Sequence, residues 1–285
     1  MKKDKKRSDL ISACWLLTSK CNYRCSFCFK VSTDRELSFN EAAKILKNLA
    51  DIGVNKISFS GGEPLLWSGN TIKLIKLAKS YKILTMLITN GSLLTTDNLK
   101  MLEGSLDWIT FPIDGSNEDR QVRTGRPIGH FSRVIKLLER LKNSQFEIKI
   151  NTVLSKQNID DIENIANLIK KYRVKRWKVF QFYPIRDASL INKEEHEISE
   201  EMFRKVEIKI KSQFNPANCI VYFGSNKDLD TSYFTIAPNG VAYISKNGKD
   251  FALGDLKIQR VEDIWKNTSL IDKSKYWERS SWFMD

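Results

Sequence analysis

Apolar positions along most of the chain follow two alternating patterns, one typical of buried strands and one typical of amphipathic helices. Short apolar runs bounded by turn residues predict strands at residues 11–18, 55–60, 82–89, 106–113, 146–154 and 175–182. Between these runs, apolar residues spaced three and four apart predict helices at residues 38–51, 68–80, 95–101, 131–141 and 159–169. The first helix opens with a capping box, because Ser38 is followed three residues later by Glu41. Ser199 is predicted to cap a further helix.

The regular succession of strand and helix predicts parallel strands joined by right-handed crossovers. Six such steps make an open, partial (β/α)6 barrel of the TIM type rather than the closed eight-stranded form. Beyond Cys219 the pattern changes to short strands around Asn239-Gly240 and a small helix at residues 261–266. We therefore expect an α/β fold in three parts: a disordered basic tail (1–9), the barrel (10–212), and a small β-rich C-terminal extension (213–285) that covers the barrel mouth.

The chain of 285 residues is basic, with 47 Lys and Arg against 34 Asp and Glu and a net charge of +13. This excess indicates an anionic partner, which could be a phosphate-bearing small molecule, a nucleic acid or a membrane surface. The first ten residues are mostly charged where a secretion signal is apolar, and no run approaches the ~18 apolar residues of a membrane span. We expect a cytoplasmic protein without a membrane partner.

Three of the five cysteines lie within eight residues, as Cys21, Cys25 and Cys28. Disulfides are not expected in a reducing compartment, so the cluster indicates metal binding or catalysis. A structural zinc site needs four ligands, and here the fourth would have to come from a distant residue. The other candidate is a cubane cluster held by three thiolates, since cysteine is the usual ligand of iron–sulfur clusters. One iron would then stay open to a substrate or cosubstrate.

Loops of unusual composition follow the first four predicted strands. They are the cysteine loop and the segments Gly61-Gly62-Glu63-Pro64, Thr89-Asn90-Gly91 and Asp114-Gly115-Ser116. Because chemistry in parallel barrels lies at the carboxyl ends of the strands, these loops are expected to meet on one rim. Gly61 and Gly62 would let the backbone approach a ligand closely, and Glu63 would offer a carboxylate to a cation.

The spacing Cys-x3-Cys-x2-Cys, with Phe27 just before the third cysteine, and the Gly-Gly-Glu-Pro segment resemble the radical S-adenosylmethionine (SAM) superfamily. The resemblance implies one [4Fe–4S] cluster on the three cysteines, with SAM at its open iron. It implies that SAM is bound by Phe27, Gly61, Gly62, Glu63, Asn90, Ser92, Arg126 and Val153. Phe27 would lie at the adenine and Glu63 at the methionine amino group. Arg126 would pair with the carboxylate, although Arg120 and Arg123 lie nearby in sequence.

The implied chemistry is reductive cleavage of SAM to a 5′-deoxyadenosyl radical, which then abstracts a hydrogen atom from the substrate. An external electron donor of the flavodoxin or ferredoxin type is implied as a partner.

Within this superfamily, the chain is similar to the viperin group and its prokaryotic members. The similarity runs from about Cys21 to Tyr233, and its motifs are residues 55–64, Lys149-Ile-Asn151, Arg176-Trp-Lys-Val-Phe-Gln181, Ser225-Asn226 and Ser232-Tyr233. The resemblance implies an antiviral lyase that dehydrates a nucleoside triphosphate. Such an enzyme removes the C4′ hydrogen and the 3′ hydroxyl, and the product is a 3′-deoxy-3′,4′-didehydro nucleotide.

The substrate-binding residues implied by this resemblance are Lys56, Ser60, Lys149, Asn151, Arg176, Lys178 and Tyr233. The four cations among them suit a triphosphate, and we expect each to point into the barrel from or near a strand end. Arg176 and Lys178 share one face of a strand, because side chains alternate along it. Asn151 would contact the ribose, and Tyr233 would close over the nucleotide as a catalytic source of an electron or proton.

Two other functions remain open. Residues 233–243 and 253–265 resemble the auxiliary-cluster (SPASM-type) domain of peptide-modifying radical SAM enzymes, but they lack its cysteines, so no second cluster is expected. The chain could therefore be a radical SAM enzyme that acts on a peptide or another small molecule. It could also be a basic iron–sulfur protein that binds nucleic acid. That binding would be non-specific and would fall steeply with salt, and nucleic acid is the less expected partner.

Overall fold

The computed structural model describes residues 9–284. Parallel strands form its main sheet: β1 (Ser12–Leu16), β2 (Lys56–Ser60), β3 (Leu84–Ile88), β4 (Trp108–Pro112), β5 (Glu147–Leu154), β6 (Val174–Gln181) and β7 (Ile220–Gly224). The opposite edge carries β8 (Thr235–Ile236), β9 (Val241–Lys246) and β10 (Lys249–Asp255). The strand order is β10-β9-β8-β1-β2-β3-β4-β5-β6-β7, and the sheet does not close into a barrel. β8 runs parallel to β1, whereas β9 and β10 are antiparallel to their neighbours.

Helices connect the parallel strands in the right order for βα crossovers. Up to β6 they are α1 (Phe39–Asp51), α2 (Thr71–Ser80), α3 (Thr96–Leu102), α4 (Glu118–Arg123), α5 (His130–Leu141) and α6 (Ile162–Lys170). Between β6 and β7 lie α7 (Asp187–Ile191), α8 (Lys193–His196) and α9 (Glu200–Lys211). The rest of the chain adds α10 (Asn226–Leu229), α11 (Val261–Asn267) and α12 (Lys273–Ser280). Two short 3₁₀ helices cover Pro64–Leu66 and Ser281–Phe283.

The predicted open α/β barrel is confirmed, and all six predicted strands are present. The capping box is also present, because the Ser38 hydroxyl accepts from the Glu41 amide at 3.3 Å and the Glu41 carboxylate accepts from the Ser38 amide at 2.9 Å. The apolar periodicity did not predict that the strands after β6 extend the sheet at both of its edges. β7 joins β6 in parallel, and β8 joins β1 from the other side.

The strands separate a helix-covered apolar face from an interior face with polar residues. On β6, Trp177 is fully buried and its ring packs on Phe214 and Phe223. Side chains alternate along a strand, so Arg176 and Lys178 point the other way, into the interior. The predicted inward direction of these two cations is therefore confirmed by the packing of the residue between them.

The chain after β7 contacts both ends of the barrel. At the end where strands begin, the Tyr276 hydroxyl accepts from the Ser12 amide at 2.7 Å, and the Trp282 ring lies 5.1 Å from that of Trp108. At the other end, the Gly248 amide donates to the Tyr183 hydroxyl at 3.0 Å. The division into barrel and extension stays a prediction. The predicted disordered tail, residues 1–9, lies outside the described residues except for Asp9.

The described residues contain no helix that is both long and apolar enough to cross a membrane.

Candidate active site

The four loops that follow β1 to β4 meet at one rim, as predicted. The Glu63 amide donates to the Lys20 carbonyl at 2.8 Å, which joins the second loop to the cysteine loop. The Asn90 side-chain amide lies 4.0 Å from the Cys21 sulfur. The Arg126 guanidinium, which follows the fourth strand, lies 3.5 Å from the Cys25 sulfur. Side chains from distant parts of the chain therefore surround the three cysteines.

The three cysteines are free thiols at one end of a shared cavity. Burial raises the pKa of the Cys21 and Cys28 thiols, so they are protonated at neutral pH unless a cation binds them. Iron bound at these thiols would supply that cation and favour their thiolate form. Among residues 9–284, no three His, Cys, Asp or Glu side chains surround a single ion position. Cys21, Cys25 and Cys28 would instead hold an iron–sulfur cluster, whose usual ligands are cysteine thiolates.

Gly61 and Gly62 let the second loop pack against the cysteine loop. Gly61 has φ +141°, and a Cβ there would lie 2.5 Å from the Thr18 carbonyl oxygen. A Cβ on Gly62 would lie 2.2 Å from the Lys20 carbonyl oxygen, so any other residue would push the loops apart. Both glycines line the cavity. The lack of side chains at Gly61 and Gly62 therefore has two effects. It lets the second loop pack against the cysteine loop, and it leaves the backbone accessible to a ligand in the cavity.

Glu63 is fully buried, and its carboxylate is used within the protein. It accepts from the Thr89 hydroxyl at 2.8 Å and from the Asn90 amide at 2.8 Å. Burial raises the pKa of this carboxyl group, while the Asn90 amide and the Thr89 hydroxyl lower it. Glu63 therefore holds the third loop in place beneath the cavity through these hydrogen bonds. Its predicted contact with the methionine amino group stays a prediction.

Asn22 was not predicted, although it lies inside the cysteine motif. Its side-chain oxygen accepts from the Asn90 side chain at 2.9 Å, and its nitrogen donates to the Ser92 hydroxyl at 2.8 Å. The Ser92 amide donates in turn to the Asn90 side chain at 2.8 Å. Predicted residues Asn90 and Ser92 are thus tied to the cysteine loop through Asn22.

Arg126 is the arginine of its segment that faces the cavity, which resolves the sequence ambiguity. Arg120 and Arg123 both pair with the exposed Asp160. Arg126 instead donates to the buried Asp114 at 2.8 Å, and its guanidinium carbon lies 4.8 Å from the centre of the Phe27 ring.

Asp114 also accepts from the Val153 backbone amide at 2.7 Å. Asp114 therefore holds the predicted residues Arg126 and Val153 together, although no role was assigned to its side chain from sequence.

One cavity of about 370 Å³ runs from the cysteines through the barrel to the other end of the strands. The predicted substrate-binding residues all line it: Lys56, Ser60, Lys149, Asn151, Arg176, Lys178 and Tyr233. Lys56 is the first residue of β2, and Lys149 and Arg176 lie early in β5 and β6. The expectation named a strand end without saying which one, and these three cations lie towards the end where the strands begin. They lie deeper, far along the cavity from the cysteines.

These cations are buried without counter-charges. Lys56, Arg176 and Lys178 are 4%, 3% and 4% exposed, and Lys149 is 7% exposed. Within residues 9–284, no carboxylate forms an ion pair with any of them. Two guanidinium nitrogens of Arg176 and the side-chain oxygen of Asn151 are buried with no hydrogen-bond partner in the protein. Unpaired buried charge is costly, so this arrangement indicates a site for a polyanion.

The pKa values of the three buried lysines reflect the same excess of unpaired positive charge. Burial and the neighbouring Arg176 lower the pKa of Lys149 to about 7. Burial and nearby cations also hold the pKa of Lys56 and of Lys178 well below the ordinary lysine value. An anion in the cavity would reverse the effect, because an opposite charge favours the protonated lysine.

The C-terminal segment supplies further residues that sequence reasoning missed. The Arg279 guanidinium lies 3.5 Å from the centre of the Tyr233 ring, and Trp282 lies 4.0 Å from Arg176 and 4.7 Å from Lys56. Arg279 and Trp282 also line the cavity. No sequence motif or apolar periodicity predicts that Arg279 and Trp282 line the cavity, because their position depends on where α12 packs. Arg279 adds a cation close to the four buried ones, and Trp282 offers its ring face to two of those four.

Comparison with known proteins agrees with this geometry. A family model described as the radical SAM superfamily matches residues 15–169, which include the three cysteines, Glu63 and Arg126. The chain belongs to the radical SAM superfamily.

Two curated relatives of this radical SAM enzyme are named S-adenosylmethionine-dependent nucleotide dehydratase, in line with the resemblance seen in the sequence. The relative from Lacinutrix mariniflava is 34% identical over 244 residues, covering 79% of this chain and 48% of the relative. The chain therefore spans about half the length of that relative. The relative from Flammeovirga pacifica is 31% identical over 246 residues, which are 81% of each protein.

The fold of the radical SAM enzyme also matches a solved structure. SuiB of Streptococcus suis, crystallised bound to S-adenosylmethionine, superposes with a TM-score of 0.74 at 16% identity, and the match covers 95% of this chain and 68% of SuiB. At this identity, the likeness establishes the shared fold.

Membership of the superfamily gives this enzyme a [4Fe–4S] cluster and SAM as cofactors, and the residues present fit both. Three thiols of suitable spacing share one cavity wall, with a cationic guanidinium beside one of them. Exposed backbone at Gly61 and Gly62, the aromatic Phe27 and the guanidinium of Arg126 line the same part of the cavity. These groups can hold the carboxylate and the adenine of SAM.

Proposed function

We propose that this radical SAM enzyme is a viperin-like dehydratase of a nucleoside triphosphate, and a lyase of antiviral defence in the cytoplasm. The observation that carries the proposal is the set of buried cations without carboxylate partners, which faces the same cavity as the three thiols. The names of the two curated relatives support it. The proposed product is a 3′-deoxy-3′,4′-didehydro nucleotide, formed by loss of the C4′ hydrogen and the 3′ hydroxyl.

In this proposal the far end of the cavity binds the triphosphate. Lys56, Lys149, Arg176 and Lys178 neutralise its negative charge, and Arg176 offers two buried donors that lack partners. The triphosphate then fixes the distance of the ribose from the cluster, because the cations lie on rigid strands. The Trp282 ring packs against Lys56 and Arg176 and would shield the bound phosphates from water on that side.

The ribose would lie between the phosphates and the thiols. Asn151 faces the cavity with an unpartnered oxygen that can accept a ribose hydroxyl. Lys178 donates to the Tyr233 hydroxyl at 2.6 Å, so the phenolic proton is free to point at another acceptor. We assign Tyr233 as the catalytic residue that supplies a proton to the departing 3′ hydroxyl.

At the near end, Cys21, Cys25 and Cys28 would hold the cluster. When bound, the cluster and SAM supply the 5′-deoxyadenosyl radical that takes the C4′ hydrogen. Phe27 and Val153 would position the adenine, while Arg126, held by Asp114, would bind the carboxylate of SAM. An external protein of the flavodoxin or ferredoxin type would deliver two electrons per turnover, one for the cleavage of SAM and one to the nucleotide radical that is left when the 3′ hydroxyl departs as water.

The proposal is tested by anaerobic reconstitution followed by measurement of 5′-deoxyadenosine release with dithionite, SAM and each common nucleoside triphosphate in turn. One triphosphate should strongly stimulate release and be consumed to a product lighter by one water. Cys25→Ala should contain little iron and release nothing. Cys219→Ala, a buried cysteine that does not line the cavity, should behave like the unaltered protein. Release that is slow and indifferent to every nucleotide would overturn the proposal and favour a peptide substrate.

A further inference from the structure

The cavity has a further group of lining residues that belong neither to the buried cations nor to the surroundings of the thiols. They are Phe29, Tyr183, Arg186, Tyr243 and Ser245, and together they are called the side pocket. Phe29 comes from the cysteine loop, Tyr183 and Arg186 follow β6, and Tyr243 and Ser245 lie on β9. The proposed function gives a place to the phosphates and the ribose of the nucleotide, but it gives none to the base.

Contacts between distant strands hold the side pocket in shape. The Gly248 amide, between β9 and β10, donates to the Tyr183 hydroxyl at 3.0 Å, and that hydroxyl donates to Asp230. The Arg186 Nη1 donates to Asp250 on β10 at 3.2 Å. These bonds join the segment after β6 to the β9–β10 hairpin, which lies in the opposite half of the strand order. The pocket therefore exists before a ligand enters it.

Hydrogen bonds also fix Arg186 relative to the thiols. The Arg186 amide donates to the Ser189 hydroxyl at 3.3 Å, and the Ser189 amide donates to the Cys28 carbonyl at 3.2 Å. Asp250 balances the charge of Arg186, whereas the four cations at the far end of the cavity have no such partner. The phosphates are therefore favoured at the far end, and the side pocket suits an uncharged group of the same ligand.

One edge of the Arg186 guanidinium has no partner. Its Nη1 is used by Asp250, but its Nε is buried without a hydrogen-bond partner. Among residues 9–284, nothing accepts a hydrogen bond from its Nη2 either. The Nε and Nη2 hydrogens form a rigid fork that points in one direction. A buried donor without a partner is costly, so this edge indicates a ligand with two adjacent acceptors.

Aromatic rings stand on either side of this fork in the sequence and close to it in space. The guanidinium carbon of Arg186 lies 5.7 Å from the centre of the Phe29 ring and 5.9 Å from that of the Tyr243 ring. Aromatic rings and arginine are the groups on which proteins stack nucleobases. A flat heteroaromatic ring with acceptors on its edge combines both requirements.

We propose that the side pocket binds the nucleobase and that Arg186 selects a base with two adjacent hydrogen-bond acceptors. Cytosine offers O2 and N3, and guanine offers O6 and N7. In uracil an N–H separates the two carbonyl oxygens, and in adenine an amino group stands beside both N1 and N7. The fork therefore discriminates against uracil and adenine. The inference rests on the proposed nucleotide site and adds to it the class of base.

The test measures base preference without turnover. The affinities of CTP, GTP, UTP, ATP and tripolyphosphate are determined by anaerobic calorimetry on the reconstituted enzyme with SAM and without a reductant. Arg186→Lys keeps a positive charge beside Asp250 but removes the fork. Arg260→Lys is the matched control, because Arg260 is an exposed arginine that also pairs with a carboxylate, that of Glu262.

We expect CTP or GTP to bind at least about tenfold more tightly than UTP and ATP, the usual scale for one bidentate contact to a base. Arg186→Lys should reduce this preference to less than about threefold and leave the affinity for tripolyphosphate unchanged. Arg260→Lys should change neither. If Arg186 served only to hold the hairpin through Asp250, its substitution would weaken all five ligands alike, and that result would overturn the proposal. So would a preference for UTP or ATP, or a preference that Arg186→Lys retains.

The same ligands, supplied with dithionite, separate this inference from the proposed function. Selective binding of CTP or GTP that depends on Arg186, but without any dehydrated product, would overturn the dehydratase proposal and support the side pocket as a base site. Dehydration of UTP or ATP alone would support the dehydratase proposal and overturn the assignment of Arg186.

Discussion

The ammonium group of Lys178 donates a hydrogen bond of 2.6 Å to the hydroxyl of Tyr233. The two residues come from β6 and from the segment before β8, which lie on different sides of the sheet order. The Arg279 guanidinium lies over the same phenol ring, 3.5 Å from its centre. Tyr233 is therefore held between two cations inside the cavity, and its own proton is left available.

Removing the Tyr233 hydroxyl should separate substrate binding from product formation. Tyr233→Phe keeps the ring beneath Arg279, so we expect nucleotide affinity to change less than about threefold. Product formation should fall ~10²-fold, the usual contribution of a positioned proton donor. The 5′-deoxyadenosine released per product should rise, because abstraction then proceeds without dehydration. Lys178→Ala is the companion variant and should instead weaken nucleotide binding. Full product yield from Tyr233→Phe would remove Tyr233 from the mechanism.

Triphosphate binding should take up protons above neutral pH. Lys149 has a pKa of about 7 in the free protein, below its ordinary value of 10.5. A bound polyanion raises that pKa, so the complex holds more protons than the free protein between the two values. Affinity should therefore fall as the pH rises from about 7. Calorimetry with tripolyphosphate at pH 8, in buffers of different ionisation enthalpy, measures the uptake.

The matched variant in this experiment is Lys149→Met, which removes the titrating group but keeps most of its volume. It should bind tripolyphosphate more weakly and take up fewer protons at pH 8. Equal proton uptake by both proteins would show that Lys149 is not the group that titrates.

Arg279 should contribute to phosphate binding although it lies outside the barrel motifs. Arg279→Met removes a cation that faces the cavity, and we expect tripolyphosphate affinity to fall about tenfold, the usual scale for one charge-assisted contact. Arg260→Met is the control, because Arg260 is exposed and pairs with Glu262 on α11. Equilibrium dialysis should show an effect of the first substitution alone, and an unchanged affinity in Arg279→Met would exclude the C-terminal segment from the phosphate site.

Asp114 should control SAM binding through Arg126. Asp114→Asn breaks the 2.8 Å ion pair and leaves the buried guanidinium without its counter-charge. We expect the dissociation constant for SAM to rise about tenfold, since losing one partner of a buried pair is costly. Iron content should be retained, because no cysteine is altered. Asp160→Asn, which breaks only surface pairs with Arg120 and Arg123, serves as the control and should leave SAM affinity unchanged.

The cysteine loop, the Gly-Gly-Glu-Pro segment and the strand order up to β6 were predictable, because each is a local pattern placed by parallel topology. The inward direction of Arg176 and Lys178 followed from strand alternation around an apolar Trp177. The position of Lys56, at the start of β2 and far from the cysteines, was not predictable. The sequence shows that a strand is present but not how far the cavity extends along it. The hydrogen bonds of Glu63 to Thr89 and Asn90 were not predictable either, because they depend on how the neighbouring loop packs.

The C-terminal contribution escaped sequence reasoning for a different physical reason. Arg279 and Trp282 lie 98 and 101 residues after the end of β6 at Gln181, in a segment whose apolar pattern does not single them out. Their position depends on Tyr276, whose hydroxyl exchanges hydrogen bonds with the backbone of Ser12 at the start of β1. Contacts between residues so far apart in the sequence can be identified only once the fold is known.

The fate of the C4′ hydrogen decides whether this enzyme dehydrates a nucleoside triphosphate. The triphosphate that stimulates SAM cleavage is synthesised with deuterium at C4′ and given to the reconstituted enzyme with dithionite. We expect one deuterium to appear in 5′-deoxyadenosine, and we expect the nucleotide product to have lost its deuterium and one hydroxyl. Unlabelled 5′-deoxyadenosine together with an intact nucleotide would contradict it, and the cavity would then belong to another anionic substrate.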